Sequence, residues 1–275
     1  MSGIQQRVKG TQHMDIGDPL DFTGHVVLVT GGTKGIGAAI AGAFLGAGAG
    51  VVVCGRNAPD TLPAAGGREA VFVPADVRDP AAASSLVDAA VERFGRLDVL
   101  VNNAGGSPDA DAATVSPRFV EKIVALNLLA PFYVAQAAHR VMRAQDGGGS
   151  VINIGSVSGQ DPQPGTAAYT AAKAGLLALT KALALEWAPA VRVNHITTGL
   201  VRTESAAPVY GPDGGAAVAG VIPMARMAVP DDVARACLFL AGGLAGYLNG
   251  ADLAVHGGGE FPARYLASKE AGGPG

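Results

Sequence analysis

The sequence predicts an α/β protein: one doubly wound parallel sheet of about seven strands with helices on both faces. Three observations predict it. Short β-branched runs alternate with longer Ala/Leu-rich segments along the chain. Most of the runs are continuously apolar rather than alternating, as strands covered on both faces must be. No linker or repeat divides the pattern, so the alternation belongs to one domain.

The strand candidates are 25–30, 50–55, 70–75, 97–103, 150–156, 191–196 and 252–257. Helical patterns lie between them, near 35–48, 80–94, 117–145, 167–188 and 231–242. Residues 1–21 are polar and lack an apolar targeting core, so they are expected to form a flexible leader. The folded domain is expected over 22–260, followed by a tail at 261–275. The least regular part is 203–230, with four prolines and the run GPDGG, which has the composition of a lid or binding loop.

Composition excludes several classes. The chain of 275 residues is 49% hydrophobic and 16% charged, with a net charge of −3 and no Lys/Arg block. That gives no footprint for nucleic acid. Cys54 and Cys237 sit singly in apolar runs, without ligand or redox spacing, and the five histidines are scattered. We therefore expect neither disulfide nor metal site, and a reducing, cytoplasmic setting.

Residues 35–55 carry no charged side chain and are long enough to resemble a membrane span. Seven glycines and six alanines argue otherwise, because Gly46, Gly48 and Gly50 would interrupt a spanning helix but fit a helix-to-strand loop. The segment reads instead as the helix and second strand of a βαβ arm that begins with VVLVTGGTKGIG. There a strand runs into Gly31, Gly35 and Gly37 and then into a helix. Glycine permits a tight turn and close approach of backbone to a pyrophosphate, and a helix N-terminus attracts phosphate. No acid follows the second strand to bind a ribose diol; Gly55 and Arg56 stand there, and Lys34 lies inside the turn. Two cations around one ribose are what a 2′-phosphate requires.

Further on, Tyr169 and Lys173 are four apart in a helical pattern and share one face. Ser156 precedes the tyrosine at the carboxyl end of a strand, where open α/β sheets hold ligands.

With its TGxxxGxG turn, ADV at 75–77, NNAG at 102–105 and the Ser156/Tyr169/Lys173 spacing, the chain resembles the classical short-chain dehydrogenase/reductase family over roughly 22–260. The resemblance implies a Rossmann-type fold and an oxidoreductase that interconverts a ketone and a secondary alcohol. It implies Tyr169 as general acid/base, and Lys173 as the group that lowers the tyrosine's pKa and binds the cofactor ribose. It implies Ser156 as the carbonyl-orienting donor and Asn127 as the fourth catalytic position. The implied cofactor contacts are Gly31, Thr33, Lys34, Gly35, Ile36, Gly37, Arg56, Asp76, Val77, Asn103, Ala104, Gly105, Tyr169, Lys173, Gly199, Val201 and Thr203. With Lys34 and Arg56, the expected cofactor is NADP(H). One departure stands out: Thr198 occupies the place before Gly199 where the family usually has proline, which leaves the shape of that loop open.

For the substrate, Gly106, Ser107 and Gln160 to Pro164 are candidate contacts. The apolar loop residues Val209, Tyr210, Val218, Val221, Ile222 and Met224 point to an apolar ketone or alcohol. A 3-oxoacyl-thioester reductase and a non-catalytic NADP-binding sensor are the alternatives. The family's usual assembly implies a homotetramer, with 259–266 as a candidate docking segment. His195 is expected to be a core residue or one that supports the site from behind, rather than a catalytic one.

Overall fold

A computed structural model describes residues 18–204, Tyr210 and residues 215–270. The chain begins with β1 (Val26–Thr30), α1 (Gly35–Gly46) and β2 (Gly50–Gly55), followed by a small hairpin, β3 (Ala64–Ala65) and β4 (Arg68–Glu69). Next come β5 (Val71–Pro74), α2 (Pro80–Phe94), β6 (Val99–Asn102), α3 (Pro117–Val124) and α4 (Ala130–Met142). The rest comprises β7 (Gly149–Ile154), α5 (Ala167–Trp187), β8 (Val191–Thr198), α6 (Ala216–Gly220), α7 (Pro230–Ala241), β9 (Asp252–Val255) and α8 (Ala263–Glu270).

Seven strands form one sheet in the order β5-β2-β1-β6-β7-β8-β9, and every neighbouring pair is parallel. The chain leaves β1 toward β2 on one side and returns to β6 on the other. The carboxyl ends of β1 and β6 therefore flank the switch point at which such sheets open a crevice.

The continuous apolar runs follow from burial on both faces. Val27 and Val29 of β1 pack with Ile40 and Phe44 of α1 and with Val233 and Leu240 of α7. Val26 and Leu28 face the opposite way, against Leu86 and Val87 of α2 and Val134 and Ala138 of α4. Residues 35–55 thus divide into a twelve-residue helix and a strand. The helix is well short of the roughly 20 residues a span requires. The run Pro117–Met142 is the one described helix long and apolar enough to cross a membrane. Its apolar residues Ala130, Val134, Ala135, Ala138 and Met142 are spent on the core beside the sheet.

Two local features depart from the expected elements. The helix expected over 117–145 carries a π-helical turn at Ala125–Leu129, centred on buried Asn127. Within the stretch expected as a tail over 261–275, Ala263–Glu270 is helical, and the Phe261 amide donates to the Val221 carbonyl at 2.8 Å.

Candidate active site

A cleft of about 680 Å³ runs along the carboxyl ends of β1, β2, β6, β7 and β8. Its first wall is the glycine turn. Gly31 has φ +62, a left-handed conformation that favours glycine. A Cβ on Gly37 would lie 2.3 Å from the Gly31 carbonyl oxygen and 2.5 Å from Asn103 Nδ2, so the helix can begin this close to the strand only without a side chain. Lys34 caps α1 in extended backbone, and its own side chain makes no cap hydrogen bond. Gly35, Ile36 and Gly37, at the positive dipole end of α1, line the cleft.

Asn103 braces this turn from β6: its Nδ2 donates to the Thr30 and Gly31 carbonyls at 2.9 and 3.2 Å. Thr30, absent from the sequence-derived set, completes the brace by accepting the Asn103 and Ala104 amides on Oγ1, each at 3.0 Å. Its signal was only the threonine that closes the first apolar run.

Lys34 and Arg56, separated by 21 intervening residues in sequence, both line the same cleft, with Asp76 and Val77 lining it too. Arg78, which sequence reasoning passed over, joins them. Its Nε donates to Asp76 Oδ1 at 2.8 Å, and this guanidinium holds the Asp76 carboxyl below its ordinary range.

At the other end, Ser156, Tyr169 and Lys173 line the cleft together. Lys173 Nζ donates to the Ile154 carbonyl at 2.7 Å and lies 5.7 Å from the centre of the Tyr169 ring. Burial pushes the lysine down to about 8. Burial also raises Tyr169, and a hydrogen bond with Ser156 only partly offsets it. The expectation that Lys173 draws the phenol below its ordinary value is therefore not met by the protein's own groups: loss of hydration outweighs them. Asn127 accepts the Gly106 amide on Oδ1 at 2.9 Å and donates from Nδ2 to the Gly106 and Ile123 carbonyls at 3.0 and 2.9 Å. It fixes the loop after β6. A Cβ on Gly105 would lie 2.8 Å from Asn127 Oδ1 and 3.3 Å from Lys173 Nζ, so both groups face the same small gap.

Thr198 settles the departure from the usual proline: its hydroxyl donates to the Gly155 carbonyl at 2.7 Å, fixing β8 to the residue before Ser156 by a hydrogen bond instead of a ring. Gly199, Val201 and Thr203 line the cleft beyond it; Gly31, Gly35, Ile36, Asn103, Ala104 and Gly105 line it too. Thr33 is not among the lining residues.

The glycine cradle, the bracing asparagine and the Ser/Tyr/Lys cluster fit a nicotinamide dinucleotide laid across the switch point. A family model described as enoyl-(acyl carrier protein) reductase matches residues 31–260. The chain belongs to the short-chain dehydrogenase/reductase family. It is 37% identical over 256 residues to a D-threitol dehydrogenase of Mycolicibacterium smegmatis, covering 90% of this chain and 98% of the relative. It is 35% identical over 244 residues to a 3alpha-hydroxysteroid dehydrogenase of Mediterraneibacter gnavus, covering 84% and 95%. A solved structure from Sinorhizobium meliloti, described as a short-chain alcohol dehydrogenase, superposes with a TM-score of 0.79 at 36% identity, covering 90% and 98%. As a member of this family, the protein is an oxidoreductase that uses a nicotinamide cofactor and a small-molecule substrate.

Of the expected substrate contacts, Gly106, Ser107, Asp161 and Gln163 line the cleft, whereas Gln160 turns away to Asp252. Among the described loop residues Tyr210 reaches the cleft; Val218, Val221, Ile222 and Met224 do not line it, and Val209 lies outside the described residues. Asp109 and Glu260, which carry no sequence signal of their own, line the cleft as well.

Proposed function

We propose that this short-chain dehydrogenase/reductase interconverts a ketone and a secondary alcohol with NADP(H). The observation that carries this reading is the convergence of Ser156, Tyr169 and Lys173 on one cleft with the glycine turn of α1. When bound, the nicotinamide supplies or accepts the hydride. Tyr169 gives its phenolic proton to the carbonyl oxygen as negative charge builds there, and takes a proton from the alcohol in the reverse direction. The raised Tyr169 pKa keeps that proton in place through neutral pH, which suits the reducing direction. Ser156 donates a hydrogen bond to the same oxygen and orients it. Lys173, anchored on Ile154, keeps a cation beside the phenol and holds the cofactor ribose. Asn127 holds the Gly106 backbone against the reacting end.

Lys34 and Arg56, with Arg78 alongside, support NADP(H) over NAD(H): all three line the cleft, Arg56 and Arg78 beside Asp76. The lining of the cleft also includes Ser107, Asp109, Asp161, Gln163 and Glu260. Those groups favour an uncharged, hydroxyl-bearing ketone or alcohol over the apolar substrate expected from the loop. They also disfavour an acidic carrier thioester, because carboxylates repel it. The test is NADPH consumption with a panel of cyclohexanone, acetoin, dihydroxyacetone and an acetoacetyl thioester. Turnover of dihydroxyacetone or acetoin supports the reading, and turnover of the thioester alone contradicts it.

The reading extends to a cytoplasmic homotetramer. Exposed Leu185 on α5, together with Leu244 and Tyr247, supports a covered face. A monomer by light scattering at micromolar concentration contradicts the assembly.

A further inference from the structure

Behind the catalytic serine lies a buried polar network that the mechanism above does not use. His195 of β8 and Asp252 of β9 are register partners in the sheet. Asp252 Oδ1 sits 2.7 Å from His195 Nδ1. The Thr197 hydroxyl, on the same face of β8, donates to both Asp252 oxygens at 2.8 and 2.9 Å. Gln160 Nε2 donates to Asp252 Oδ2 at 2.7 Å and to Thr197 Oγ1 at 3.0 Å. Three side chains, two from β8 and one from a loop, thus meet on one carboxylate of β9.

The place of this network along the chain gives it a consequence. Gln160 ends the single helical turn that Ser156 begins: the Gly159 amide donates to the Ser156 carbonyl at 3.0 Å, and the Gln160 amide to Val157 at 2.9 Å. On the other side of the serine, the Gly155 amide donates to Ile196 at 2.8 Å, and Thr198 donates to the Gly155 carbonyl. A Cβ on Gly155 would lie 2.1 Å from His195 Nε2, so the imidazole edge rests directly on the serine's neighbour. His195 is 1% exposed, and its Nε2 has no hydrogen-bond partner among the described residues. An orphaned ring nitrogen is tolerable as a bare lone pair, whereas a buried unpaired N–H would cost more. The ring is therefore neutral, with its proton on Nδ1 and directed at Asp252. Burial holds His195 below its ordinary value, and Asp252 stays below its own although burial alone would raise it.

We propose that Asp252 is a positioning residue for catalysis: by gathering His195, Thr197 and Gln160 it clamps the Ser156–Gln160 turn against the end of β8 and sets the aim of the Ser156 hydroxyl. This rests on the role given to Ser156 above. It also explains why Gln160 turns away from the cleft: its amide is spent on the clamp, which leaves substrate contact to Asp161 and Gln163.

A carboxylate swap tests it. Gln160→Glu sets two carboxylates against each other and should lower kcat about tenfold or more, with the NADPH Kd unchanged within about twofold, as expected when orientation rather than binding is lost. Asp252→Asn alone should lower kcat less, because Asn still accepts from His195. The double variant Gln160→Glu/Asp252→Asn restores one carboxylate facing one amide and should recover kcat to within about threefold of the wild type. Turnover is followed with the acetoin and dihydroxyacetone probes. The same rescue is read without substrate from the amide NMR signals of Gly155 to Ser158, which shift in the single variant and return in the double. A double variant whose loss is the product of the single losses, or a Gln160→Glu protein that turns over and resonates like wild type, overturns the proposal. Tyr169→Phe in the same assay separates the two failures. If it stays active, the catalytic reading itself falls; if it is inactive and the swap restores nothing, the clamp alone falls.

Discussion

Lys173 and Ile154 are joined across 2.7 Å, ammonium to carbonyl, from the second turn of α5 to the last residue of β7. This contact sets the lysine at the floor of the cleft and removes it from water, and burial lowers it from 10.5 to about 8. The folded protein therefore gives up this proton well before the unfolded chain does. Between those two values the unfolded state binds more protons, so stability attributable to Lys173 rises with pH there, and the full burial penalty is present below pH 8. Relative to Lys173→Met, the wild type should gain about 2 kcal/mol between pH 7 and pH 9.5 in urea unfolding without added cofactor. Parallel pH curves for the two proteins would contradict the burial.

On the proposed reading, charge beside the adenosine ribose selects the cofactor. Arg56 and Lys34 line the same cleft. Replacing Arg56 with Ala should raise the KM for NADPH at least about tenfold while moving the KM for NADH little, since a charge-assisted pair to phosphate contributes on the order of 1.5–3 kcal/mol. An equal change for both nucleotides defeats the NADP assignment.

The glycine turn makes a steric prediction with its own control. Gly37→Ala would force a methyl group to within 2.3 Å of the Gly31 carbonyl. It should destabilise the protein by about 1–3 kcal/mol and weaken nucleotide binding. Gly42→Ala, in the same helix with nothing within 4 Å of the new methyl, should stabilise by about 0.5–1 kcal/mol. Calorimetry on both variants checks the pair; two substitutions of the same sign and size would refute the close approach.

Thr198 replaces a ring with a hydrogen bond. Thr198→Val keeps the shape and deletes the donor to the Gly155 carbonyl. A loss of about 1–3 kcal/mol in urea unfolding is expected from the buried acceptor left without it. A neutral result would mean that the hydroxyl contributes nothing there.

The five inner strands were legible because each is buried on both faces and so reads as an apolar run; the edge strands β5 and β9 are more exposed and were read from their short β-branched runs. Val26–Thr30 and Gly50–Gly55 match their runs to within a residue. The β3–β4 hairpin was not legible: two-residue strands joined by Gly66 and Gly67 carry no periodicity. The π-helical turn was equally hidden, because it arises from Asn127 binding Gly106 across 21 residues, a tertiary contact that helical spacing cannot encode. The Ser/Tyr/Lys cluster was legible from spacing. Arg78, Thr30 and the direction of Gln160 were not, since each acquires its role from a partner brought in by the sheet. Of the apolar loop residues, Ile222 is buried and Met224 is exposed, and neither lines the cleft.

The most direct measurement is turnover by Tyr169→Phe, which removes one oxygen from a ring that the fold already holds in place. NADPH consumption with dihydroxyacetone or acetoin should fall by a factor on the order of 10² or more, while the NADPH Kd from fluorescence stays within about twofold of wild type. Turnover near the wild-type rate would contradict Tyr169 as the proton donor, and with it the catalytic reading of the cleft.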